Sequence, residues 1–150
     1  MYGLSKEFVS KILTEYFGIA HPNKDKKNIY VGLGLTLEGA TQNLYEFNEV
    51  STDKDNTLNY KRSRIIFNEA IDGVMFNTNS IMFSTASEDW TTEKRKIQSV
   101  GIFQTKEFFN EKQELIQPAV ILQLPSPIAV NAGETVVFDP QTVVLKLSDE

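Results

Sequence analysis

Acid–base or metal chemistry built on histidine has one candidate in this chain, His21, which precedes Pro22 in a stretch of loop composition. It has no second histidine and no cysteine to work with, so a triad or a histidine-based metal centre would have to draw nearly every other role from elsewhere. His21 is therefore read as a loop residue. Gly32-Leu-Gly34 has the first two glycines of a dinucleotide fingerprint, but the third position is Leu37, and the pair lies inside an alternating strand pattern. Asp53, Asp55 and Thr57 match the opening spacing of a calcium loop. The glycine that loop requires is replaced by Leu58, and no glutamate stands at its twelfth position. Glu88 and Asp89 are adjacent, and neighbours on extended chain point to opposite sides, which is poor geometry for two carboxylates sharing one substrate. The sequence thus predicts no catalytic residue, no cofactor and no bound metal.

What remains is chemistry of contact. Phe108 and Phe109 fall in Glu107-Phe-Phe-Asn-Glu-Lys112, which reads as the end of a hairpin whose two phenylalanines either pack into their own domain or project as interface anchors, a role that aromatic side chains at loop tips fill effectively. Leu4, Phe8, Val9, Ile12, Leu13, Tyr16 and Phe17 recur at helical spacing. Ser5 stands where an N-cap belongs, Leu4 and Val9 where a hydrophobic staple would close, and Gly18 where a left-handed stop is needed. Leu4, Phe8, Ile12, Tyr16, Phe108 and Phe109 are accordingly the candidate interface residues.

The elements that would carry these residues are mostly extended. Residues 28–37 alternate cleanly, with Ile29, Val31, Leu33, Leu35 and Leu37 on one face and Tyr30, Gly32, Gly34 and Thr36 on the other. Two glycines on one face leave a groove into which another element can come close. Further extended segments are predicted near 64–67, 73–77, 81–83 and 97–105, then at 119–124, where Pro125-Ser-Pro127 interrupts the strand. The chain continues through 128–130, turns at Asn131-Ala-Gly133 into 135–138, and turns again at Asp139-Pro140 into 142–147. Short strands at this spacing, punctuated by Gly, Pro and Asn, predict an antiparallel β-sandwich of jelly-roll or immunoglobulin-like type. One N-terminal α-helix over residues 1–18 is appended to a sandwich domain over 28–147.

At 150 residues, with 41% hydrophobic and 23% charged residues, the chain has the composition of one folded domain. A net charge of −5 argues against nucleic acid as a partner, since phosphate binding needs a basic surface. Apolar runs such as 118–122 are far too short to span a membrane, and Lys6 and Glu7 interrupt the start of any secretory signal, so synthesis and folding in the cytoplasm are expected.

Five segments in order carry a resemblance: Tyr30-Val-Gly-Leu-Gly-Leu35, Tyr60-Lys-Arg62, Phe83-Ser-Thr-Ala-Ser-Glu-Asp-Trp90, Val100-Gly-Ile-Phe103, and Ile128-Ala-Val-Asn-Ala-Gly-Glu-Thr135 with its continuation to Leu147. In pattern and order they are similar to small structural proteins of tailed bacteriophages, of the head-fibre, decoration or tail-accessory type. The resemblance implies a non-enzymatic virion component, homo-oligomeric, that attaches to capsid, neck or tail proteins. The polar loop before Tyr60 and the preceding helix depart from that pattern. The alternative is a cytoplasmic β-sandwich module binding carbohydrate or peptide through aromatics such as Tyr30, Trp90, Phe108 and Phe109. A carboxylate-based hydrolase is a distant third.

Overall fold

A computed structural model describes residues 5, 7, 10, 11, 28–37 and 47–146. The described residues are mostly β, with eight strands among them in antiparallel sheets: β1 (Ile29–Leu37), β2 (Ser63–Ile65), β3 (Val74–Phe76), β4 (Ile81–Met82), β5 (Arg95–Phe103), β6 (Val120–Ile128), β7 (Val137–Phe138) and β8 (Val144–Lys146). They form a four-stranded sheet in the order β2-β1-β5-β6 and two pairs, β3-β8 and β4-β7. The apolar stripe Leu4, Phe8, Val9, Ile12, Leu13, Tyr16 and Phe17 lies outside the described residues, as does His21. Glu7, Ser10 and Lys11 between them are helical.

By contacts the chain forms two compact units. The first takes in Arg64–Ile81 with the described residues of Met1–Ile29 and Phe138–Glu150; the second takes in Met82–Val137 and the described residues of Tyr30–Ser63. The passages between them fall at 29/30, 63/64, 81/82 and 137/138 rather than in any linker, so composition carries no mark of them.

The first unit turns on a hairpin and on one asparagine. Asp72 and Gly73 have φ of 53° and 79°, and Ile71 and Val74 exchange both backbone hydrogen bonds around them. An Asp-Gly pair with both residues left-handed is the turn that matches strand twist. The Ser10 hydroxyl accepts the Gly73 N–H at 2.7 Å. Val74–Phe76 then pairs with Val144–Lys146, bringing Met75 opposite Leu145 in the core with Phe67, Ile81 and Val143. Asn77 is fully buried at 0% exposure. Its amide nitrogen donates to the carbonyls of Asn79 (2.8 Å) and Asp139 (3.0 Å), and its oxygen accepts from the N–H groups of Thr142 (3.0 Å) and Val143 (2.9 Å). Both halves of the side chain are saturated by backbone, so a neutral amide substitutes for a length of ladder.

The second unit is built on β1, β5 and β6. Val31, Leu33, Ile97, Val100 and Ile102 are buried, each contributing about 1.5–3 kcal/mol relative to exposure. The strand at 120–124 does not end at Pro125: β6 runs through both prolines to Ile128. Its register with β5 slips between Ser99↔Gln123 and Ile97↔Ile128, leaving 124–127 bulged opposite Gln98. The bulge and the position of β6 at the end of the sheet accommodate residues that cannot donate to a ladder.

Candidate functional site

The alternation of β1 predicts one buried and one open face, but both are covered along its centre, where 31–34 are all buried. An added Cβ on Gly32 would stand 2.6 Å from Glu49 Oε2, 2.9 Å from the Phe103 ring and 3.0 Å from the Tyr60 hydroxyl. One on Gly34 would collide with Ser99 Oγ and the Phe47 ring. The glycine groove is therefore filled by the unit's own side chains, which form its most elaborate polar cluster.

Local turns bring these side chains to β1. The backbone N–H groups of Leu35 and Val50 bond to the carbonyls of Asn48 and Leu33, which lays Glu49 beside Gly34. Asn56 and Asn59 both adopt left-handed backbone, at φ 49° and 55°, as short polar side chains can. Asn56 Oδ1 accepts the Tyr60 N–H at 2.8 Å. Trp90 Nε1 donates to the Leu58 carbonyl at 2.7 Å, and Ser84 Oγ to that of Asn59. The polar loop preceding Tyr60 is thus fastened at its end, and alternation along the chain presents Tyr60 and Arg62 on one side.

Arg62 Nη2 meets Glu49 Oε1 at 2.9 Å and Arg62 Nε meets Oε2 at 2.9 Å, a bidentate pair. The arginine side chain is 0% exposed and the glutamate 4%. Arg62 Nη1 donates to the carbonyls of Thr105 (3.2 Å) and Glu107 (2.6 Å), which anchors the segment beyond β5. Its guanidinium lies 3.4 Å from the centroid of the Phe103 ring and 5.0 Å from that of Phe108, an arrangement in which ring faces partly replace lost water. Tyr60 OH donates to Glu49 Oε2 at 2.6 Å and accepts the Leu33 N–H at 2.9 Å. Burial, followed by the Glu49 charge and its hydrogen bond, pushes the Tyr60 hydroxyl well above its usual 10.0. Tyr60 also stacks between Phe83 and Phe108 and takes the Trp90 ring edge-on.

Chemically, this cluster holds a loop to a sheet. The carboxylate that could act as a base already binds a guanidinium and a phenol, and the arginine that could receive an anion is occupied by Glu49 and two carbonyls. Beside it is an open cleft of about 250 Å³, lined among others by Phe47, Asn48, Glu49, Arg95, Phe103 and Pro118.

The structure disperses the other residues singled out in the sequence. Phe108 is half-buried and faces inward on Tyr60 and Arg62; Phe109 is half-buried beside Leu115 in the hairpin. Leu4, Phe8, Ile12 and Tyr16 lie outside the described residues. Asp53 Oδ1 accepts the Asp55 N–H at 3.1 Å, a local turn. Asp89 Oδ1 accepts the Ala132 N–H at 2.8 Å and so closes the Asn131-Ala-Gly133 turn, whereas Glu88 is exposed. Trp90 is only 3% exposed and offers no face to a ligand. Sequence reasoning assigned no role to Glu49. Its signal was faint: a pair of glycines on one strand face and a Tyr-x-Arg alternation that needed a counter-charge.

No protein-family model matches the chain, and no curated protein matches it in sequence.

Proposed function

We propose that the protein is a non-enzymatic structural component of a tailed-phage virion, a β-sandwich with a terminal helix that attaches to capsid, neck or tail proteins through protein–protein contacts. The observation that carries this reading is the convergence of the segments bearing the resemblance. Gly32, Tyr60, Arg62, Phe83, Trp90 and Phe103 belong to four of them and meet in one cluster. The fifth joins through the Val130 carbonyl, which accepts the Trp90 N–H at 3.0 Å. Residues shared in pattern with the phage proteins thus do a common structural job, holding a stiff scaffold whose outer surfaces are left for partners.

Binding of carbohydrate or peptide has less support. Trp90 is buried, and both Trp90 and Phe108 pack against Tyr60.

The test is to purify phage particles on a density gradient from a lysate in which a tagged copy of the chain is expressed. The tag should sediment with infectious particles and persist through a salt wash. Recovery of the tag only in particle-free fractions would end the virion reading.

A further inference from the structure

The two edges of the four-stranded sheet are treated differently. At one end, β2 is three residues long and carries Arg64, exposed, at its centre. Shortness and charge are the usual means by which a sheet edge is kept from pairing with another chain. At the other end, β6 spans nine residues and, among the described residues, has no strand on its far side. Between Leu115 and Gly133 there is no charged residue at all, in a chain where 23% of residues are charged. Val120, Ile121, Leu122 and Leu124 are all half-buried, whereas 99–103 of the neighbouring β5 are all buried. Alternate residues of an antiparallel strand direct N–H and C=O away from their partner, and on that side β6 makes no backbone hydrogen bond among the described residues. The prolines at 125 and 127 limit the open stretch to 119–124 rather than guarding it.

We propose that this edge pairs antiparallel with the same edge of a second copy, joining two four-stranded sheets into one. A second copy is the occupant that the charges favour. The chain carries a net −5, so two copies meet with least repulsion along a neutral seam, and 115–133 is such a seam. Because both copies contribute the same strand, the contact is two-fold and uses up both open edges, leaving the short charged β2 edges outermost; the assembly closes at a dimer. The inference does not depend on the virion reading, since it concerns the purified chain.

Ala119 and Gln123 are exposed, and among the described residues Gln123 makes no side-chain hydrogen bond, so charges placed there leave the fold intact, which circular dichroism and the urea midpoint would verify. Light scattering during gel filtration should give a dimer for the wild type. Ala119→Lys/Gln123→Lys and Ala119→Glu/Gln123→Glu should each raise the dissociation constant about tenfold or more, a loss of about 1.4 kcal/mol. Mixing the two variants should restore the dimer. A monomeric wild type, a dimer indifferent to both variants, or a mixture that stays monomeric would each overturn the proposal.

Discussion

In each unit a buried polar side chain gathers backbone from distant loops, and the two do it with opposite chemistry. In the first, neutral Asn77 joins the Asn79 and Asp139 carbonyls to the amides of Thr142 and Val143. In the second, Arg62 joins the Thr105 and Glu107 carbonyls but must bring Glu49 with it, and Glu49 in turn recruits Tyr60. An amide matches backbone donors and acceptors one for one and needs no further support. A guanidinium extends farther and sits between aromatic rings, but its charge demands a counter-charge, and the cluster around it must be larger. A buried neutral node is self-contained, whereas a buried charged node is only as stable as its partner.

The largest expected effect follows from that dependence. Arg62→Ala or Glu49→Ala strands a buried charge and should destabilise the protein by about 3–5 kcal/mol in urea titrations. Arg62→Met combined with Glu49→Leu should be far less damaging than the sum of the single changes. Additive losses would show that the two side chains act separately.

Asn77→Ala should cost less, about 1–3 kcal/mol, because it orphans backbone groups but no charge. Its signature is local: faster hydrogen exchange at the Thr142 and Val143 amides. Equal acceleration throughout the chain would erase the distinction between the two nodes.

A smaller loss, about 1–2 kcal/mol, is expected for Gly73→Ala, where φ of 79° is imposed on a residue with a Cβ. Thermal denaturation measures it, and an unchanged midpoint would mean that the Asp-Gly turn relaxes freely.

Tyr60 separates the two nodes by pH. Its folded-state pKa is raised above the usual 10.0, so the folded state holds the proton more tightly than the unfolded chain does. The contribution is complete below about pH 10 and is lost as pH rises from there through the folded-state value. Tyr60→Phe should flatten this part of the alkaline stability curve, and the tyrosinate absorbance missing from the variant should develop only with unfolding. Ionisation of Tyr60 near its ordinary value in the folded protein would contradict the buried hydrogen bond to Glu49.

Elements with a strong local signature were legible from the residues alone. β1, β3 and β5 stand close to where alternation puts them, and the Asn131-Ala-Gly133 turn is present, with Gly133 at φ 87° and Glu134 N–H bonded to the Asn131 carbonyl. The continuation of β6 through Pro125 and Pro127 was not legible. Whether a missing N–H matters depends on whether a neighbour asks for it, and an edge position and a bulge are properties of the sheet. The site was half legible: Tyr60 and Arg62 share a face by period two, and the glycines of β1 announce a close approach. Glu49 gave no sign, because a carboxylate in a polar stretch looks solvated until the fold encloses it.

Local sequence chose strand or turn wherever the preference is intrinsic to a few neighbouring residues: alternating apolar side chains, Asp-Gly and Asn-Ala-Gly turns, asparagines tolerant of left-handed backbone. Tertiary structure alone decided which polar groups lost their water and therefore needed partners. Asn77 and Asn79 stand two residues apart in one short stretch, yet the first is fully buried and bonded on every side while the second is half-exposed. Propensity cannot tell them apart, since desolvation is set by residues such as Asp139 and Val143, more than sixty positions away along the chain.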